Sequence, residues 1–159
     1  MITIEFNGAE AQGGLDALGQ LMADMTPVFA EIGEQLVRST KRRFEAGEDP
    51  EGNAWLPKSQ ATLDKYARGN DRVSSRPLHG PNLNLSRNIF HEASRDQVLI
   101  GSPQDYAAMM HFGGTKAQFP HLWGDIPARP FLGVSDQDCR DISEIIGEWL
   151  VRASGGTVE

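Results

Sequence analysis

Four histidines and a single cysteine are the residues of this chain with the widest chemical reach. A metal site would draw on His79, His91, His111 and His121. None of them sits in an H-x-x-x-H or H-E-x-x-H spacing, and there is no second cysteine. His91-Glu92 falls on an expected strand, where neighbours point to opposite faces, and His79 and His121 fall in loops. They read as scattered polar residues. Cys139 has no nucleophile motif around it and is expected to be a packed small residue early in the last helix. No G-x-S-x-G elbow is present. Gly113-Gly114-Thr115-Lys116 lacks the upstream glycine of a phosphate loop and follows a helix, so it reads as a helix stop. The 22 carboxylates include no pair marked as desolvated, so acid–base hydrolysis finds no start. No cofactor and no metal are expected.

Arg129 is the polar residue that stands out. It lies in the apolar run Ile126-Pro127-Ala128-Arg129-Pro130-Phe131-Leu132-Gly133-Val134, which reads as a strand, edge or irregular because two prolines remove two donors. One reading turns Arg129 to solvent beside a local acid. The other gives it a bidentate carboxylate partner across a subunit contact, which suits the guanidinium fork.

The elements that must carry these residues follow from periodicity. Ile2, Ile4 and Phe6 alternate with polar residues as a half-buried strand over 2–6. Asn7-Gly8 and Gly13-Gly14 bracket a loop, and a helix follows from about Leu15, its apolar face including Leu18, Leu21, Met22 and Met25. Thr26-Pro27 opens a new helix, or a kinked continuation, to about Ala46. Its apolar face is Val28, Phe29, Ile32, Leu36, Val37 and Phe44. The opposite face, with Glu31, Glu34, Gln35 and Arg38, is solvated or meets a partner. Arg38, Lys41, Arg42 and Arg43 close it, where cations complement the helix dipole. Trp55, in a polar stretch, anchors a loop to the core or contacts a partner. Ser59 caps a short helix from Gln60 to about Arg68. The stretch 69–84 reads as a long mobile loop.

Asn88–Ala93 and Gln97–Gly101 form a hairpin signal. Ser102-Pro103-Gln104-Asp105 starts a helix that Gly113-Gly114 ends. Thr115 to Asp125 is a second mobile loop. Its Phe119, Pro120, Leu122 and Trp123 either fold back on the core or make a surface that a neighbour covers. Ser135 caps the last helix, Asp136 to about Ala153, with Asp138 in the capping-box position. Its apolar face is Ile142, Ile145, Ile146, Trp149 and Leu150.

The fold class is therefore α+β: one domain, 1–159, with a small, mainly antiparallel sheet packed against a long N-terminal helix and a C-terminal helix. No run is long and apolar enough for a membrane span, and Met1-Ile2-Thr3-Ile4-Glu5 lacks the features of a secretory signal. The single cysteine fits a reducing compartment. A net charge of −7 argues against general nucleic-acid affinity.

Three segments, in order, carry a likeness: Trp55-Leu56-Pro57-Lys58-Ser59-x-x-Thr62-Leu63, Tyr106 to Gly114, and Ile126 to Ser135. Together they resemble the virion morphogenesis (tail completion) family of tailed phages, as in Mu-like phages and prophages. The resemblance implies a non-enzymatic α+β protein of the phage neck and tail end. Related folds assemble as rings, often of six, between the portal-side connector and the tail tube. It implies a virion location, with assembly in the host cytoplasm, and a role in completing a tail or joining it to a filled head. Its partners would be copies of itself, the connector and the tail tube. DNA would pass through a lumen lined by acids, without sequence-specific binding. Candidate assembly residues are Trp55, Tyr106, Phe112, Arg129 and Phe131 in these segments, and Phe119 and Trp123 in the apolar loop between them. The alternatives are a tail-assembly chaperone absent from the finished particle, or a small metal-dependent hydrolase using the histidines.

Overall fold

The structure is a computed structural model that describes residues 8–69, 74–122 and 124–155. Its spine is helix α2, Thr26–Ala46, which follows helix α1, Gly8–Ala23. Pro27 starts α2 at no cost, because the first N–H groups of a helix lack partners in any case. Gly47 ends it in the left-handed conformation, its N–H returning to the Arg43 carbonyl. The row Val28, Ile32 and Leu36 is buried along one face. Leu21 and Met25 pack against it, as do Ile142, Ile145, Ile146 and Trp149.

Those last four residues belong to helix α6, Asp136–Ala153. It runs antiparallel to α2, as three side-chain links in reversed order show. The Trp149 indole N–H donates to Glu31 Oε2 at 2.7 Å, Gln35 donates to Asp141, and Arg43 pairs with Asp138. The Ser135 capping box is present with both of its hydrogen bonds.

Between these helices come α3, Gln60–Arg68, and α4, Asn84–Arg87. Strands β1, Phe90–Ala93, and β2, Val98–Gly101, pair antiparallel with Phe90 opposite Gly101 and Ala93 opposite Val98. The hairpin lays one face on α2. Its His91 ring stands where a Cβ on Gly33 would come within 2.4 Å of the ring's Cδ2, so this glycine sets how closely sheet and helix approach. Helix α5 is Ala107–Phe112. A second core cluster gathers Phe44, Trp55, Leu85, Ile89, Ala107 and Phe131 at the far end of α2.

The α+β class and the helix-backed antiparallel sheet hold. Several finer expectations do not. Residues 126–134 form no strand: with Pro127 and Pro130 lacking donors, the run makes one antiparallel bridge, Gly114 with Ile126, and the Arg129 N–H goes to the Met110 carbonyl at 3.0 Å. Helix α1 begins at Gly8, through the stretch expected as a loop, because Ala9 to Gln12 are good helix formers that outweigh two glycines. Ser102 caps no helix. It closes a local turn onto the Gln104 N–H, and α5 starts only at Ala107. Cys139 is exposed, since Asp138 takes the inward position beside it. Leu15, Met22 and Leu150 also lie open rather than on the packed faces. Glu31 and Gln35, expected on a solvated or partner-facing side, are taken up by α6. The expected strand 2–6 and the side chain of Trp123 lie outside the described residues.

Candidate functional site

The segment before α3 and the segment before α6 are strapped together reciprocally. The Trp55 indole N–H donates to the Pro130 carbonyl at 2.8 Å. In return, Arg129 Nε donates to the Leu56 carbonyl at 2.7 Å and Nη2 to the Pro57 carbonyl at 2.8 Å. The rings of Trp55 and Phe131 both pack on Phe44 beneath this strap, with centroids 5.4 and 5.3 Å away. Next along the chain, Lys58 Nζ donates to the carbonyls of Ser74 and His79 at 2.6 and 2.5 Å, fixing the segment that leads into α4. The Lys58 ammonium also lies 5.2 Å from the centre of the Tyr66 ring.

These straps leave a cleft of about 670 Å³ between the start of α3, the 78–85 segment and residues 126–129. Its walls are mostly apolar, with Leu56, Leu83, Tyr106, Met110 and Ile126 among them. Lys58 and Arg129 are the cations in the wall, and Arg129 is only 7 % exposed. Neither forms an ion pair among the described residues. Burial lowers the Lys58 pKa, and the nearby Arg129 charge lowers it further. Burial alone lowers that of Arg129. Asp125, the wall's one described carboxylate, accepts instead from the Lys116 N–H at 2.7 Å.

The third segment enters through α5. Tyr106 and Met110 reach the cleft, and Gly113 ends the helix at φ +72°. A Cβ there would lie 2.6 Å from the Ala128 nitrogen and 2.7 Å from the Ile126 carbonyl oxygen, so only glycine lets the two segments touch. His111 Nδ1 accepts from the Phe131 and Leu132 N–H groups at 3.3 and 3.5 Å, and burial lowers its pKa. Three stretches far apart in the chain thus meet around one cleft. They are the same three that carry the likeness to phage proteins.

A family model described as the phage virion morphogenesis family matches residues 6–151. The chain belongs to this family. It is 34 % identical over 137 residues to a capsid assembly protein G of Escherichia phage Mu, covering 85 % of each chain. It is 31 % identical over 151 residues to a G protein of the Mu-like prophage FluMu of Haemophilus influenzae, covering 94 % of this chain and 96 % of that one. To the tail completion protein S of Escherichia phage P2 it is 28 % identical over 156 residues, covering 86 % of this chain and 95 % of that one. No solved structure matches significantly.

The candidate assembly residues divide by position. Trp55, Arg129 and Phe131 are inside the subunit, where they hold the strap and the core. Both sequence readings of Arg129 gave it an acid. Among the described residues of the one subunit no acid pairs with it, so the local-acid reading fails: two backbone carbonyls of the irregular 55–58 segment take its N–H groups instead. Tyr106, Phe112 and Phe119 are outside, Phe112 most of all at 76 % exposed. The histidines do not converge, and the described residues contain no cluster of three or more metal-binding side chains. Sequence reasoning missed Lys58 and the buried Arg43–Asp138 pair. Arg43 had a signal: with Thr40 it continues the row Val28, Ile32, Leu36 at helical spacing, on the inward face.

Proposed function

We propose that this chain is a structural, non-enzymatic component of a tailed phage or prophage that completes the tail and joins it to the head, as a ring of identical subunits at the neck. The observation that carries this is the family match across 6–151, joined to relatives named for capsid assembly and tail completion. Exposed Phe112, Tyr106 and Phe119 support the ring, because heterologous contacts between copies would cover them and can close when the rotation permits. The neighbours are the portal-side connector and the tail tube, with DNA passing through the lumen. The experiment is deletion of the gene from the phage or prophage that encodes it. Electron microscopy then shows filled heads and free tails that fail to join, and supplying the chain restores joined particles. Joined, infectious particles without the chain overturn the reading. The Mu relative's name, an assembly protein, keeps a second reading in view: a chaperone that leaves the particle. Mass spectrometry of purified virions separates the two, since a built-in subunit is present in several copies.

A further inference from the structure

The cleft presents an unusual combination of walls and charge. Two cations stand in a mostly apolar recess, neither in an ion pair among the described residues, and they repel one another; the one described carboxylate of the wall, Asp125, accepts from the Lys116 N–H instead. Each cation has been partly stripped of water, which is unfavourable unless an anion compensates. Their bonds to the protein go to neutral carbonyls. Arg129 Nη1 makes no hydrogen bond among the described residues. None of their buried side-chain nitrogens lacks a partner, so Nη1 is reached by solvent. Lys58 spends two of its three N–H groups. The amino end of α3, where backbone N–H groups carry positive partial charge, opens onto the same recess through Ser59 and Thr62. Leu56, 59 % exposed, and Tyr106 stand at its walls as apolar contacts.

We propose that this cleft captures an acidic, apolar chain segment of a partner virion protein, its carboxylate seated between Lys58 and Arg129 and its apolar side chains against Leu56, Tyr106 and Met110. That the partner is a virion protein rests on the assembly reading above; the carboxylate recognition rests on the cleft alone. Charge complementarity selects the occupant. A carboxylate matches the guanidinium fork and relieves the repulsion between the two cations. The volume falls within the range of about 300–1,000 Å³ that suits a ligand of a few residues. Nucleic acid is disfavoured, because two cations in an apolar recess on a chain of charge −7 do not track a phosphate backbone.

The test is a calorimetric titration of the full chain with the blocked peptide acetyl-Leu-Glu-Leu-Asp-Leu-amide, its Gln/Asn counterpart, free glutamate and a single-stranded oligonucleotide. The acidic peptide is expected to bind at least tenfold more tightly than the neutral one. Added salt weakens it. Glutamate and the oligonucleotide do not compete. Lys58→Met weakens the acidic peptide about tenfold more than it weakens the neutral one, since the loss of its bonds to the Ser74 and His79 carbonyls bears on both peptides alike. Leu56→Ser, an exposed position that does not endanger folding, weakens both. Equal binding of acidic and neutral peptides, competition by glutamate at the peptide's own concentration, tighter binding of the oligonucleotide, or no binding by the folded wild-type chain each overturns the proposal. In the phage, Leu56→Ser supplied to the deletion strain should join heads to tails poorly. If the deletion strain fails and Leu56→Ser restores joining fully, the cleft proposal falls while the assembly reading stands.

Discussion

Arg43 and Asp138 form the more deeply buried of the two ion pairs found among the described residues. They are 6 % and 1 % exposed, and they tie the end of α2 to the start of α6. Arg43 also donates to the Phe131 and Gly133 carbonyls, so one side chain fixes both helices and the segment between them. Burial alone would raise the Asp138 pKa. Hydrogen bonds from Ser39 and Ser135 and the charge of Arg43 outweigh it and hold the carboxyl below its ordinary range. Its contribution is therefore present above about pH 4, the unfolded value, and is lost as pH falls through the lower folded value. Arg43→Met should cost about 3–5 kcal/mol in urea melts at neutral pH, because Asp138 is left buried and unpaired. Arg43→Met with Asp138→Leu should recover a large part of that.

His111 has the same sign for a different reason. Its Nδ1 must stay unprotonated to accept from two backbone N–H groups, and burial favours the neutral ring. The unfolded chain therefore takes up the proton first, and stability falls as pH drops below about 6.5. His111→Asn, whose Oδ1 can accept the same bonds, should flatten the dependence of melting temperature on pH below about 6.5.

At the scale of elements, the turn after α5 and the cap of α6 hold the cleft in place. Gly113 brings α5 against the 126–128 segment, backbone on backbone, at a φ that a side chain rarely adopts. Gly113→Ala should cost more than about 3 kcal/mol, since strain and overlap combine and neither atom is the end of a flexible side chain. Circular dichroism melts measure the loss, and tryptophan fluorescence should report it too, because Trp55 is bonded to Pro130 in the displaced segment. Ser135→Ala should cost about 1–2 kcal/mol by removing the cap and one donor to Asp138, with no effect on the cleft. The hairpin is different. Two strands alone are marginal in water, and this pair is held by its face on α2 at Gly33. Its other face leaves Phe90 and Leu99 open.

For the whole molecule, the separation between inside and outside aromatics decides what an assembly contact can use. Phe112 lies at the end of α5 and is the most exposed of the large apolar side chains described. Phe112→Asp should leave the subunit's melting temperature within about 2 °C of wild type, as surface changes do. It should lower the oligomeric state seen by native mass spectrometry or sedimentation. A ring that persists unchanged with Phe112→Asp would place the contact elsewhere. Trp55→Ala should do the reverse and lose about 3–5 kcal/mol of subunit stability, because the ring is buried and its N–H bonded.

What the amino-acid sequence determined by itself was mostly local. Pro27 and Gly47 bounded α2, Ser59 and Ser135 capped α3 and α6, and Gly113-Gly114 stopped α5, because caps and stops depend on residues within a few positions of one another. The apolar rows of α2 and α6 were legible for the same reason, and three short motifs placed the chain in its family. The structure decided the rest through contacts between distant residues. Pairing is non-local, so two prolines kept 126–134 from any sheet while its apolar residues still suited a strand. Arg129 took carbonyls from Leu56 and Pro57, about seventy positions away, where the sequence offered only acids as partners. Arg43 met Asp138 across 95 positions. A cleft is the space that such long-range straps leave, and no periodicity along a chain encodes it.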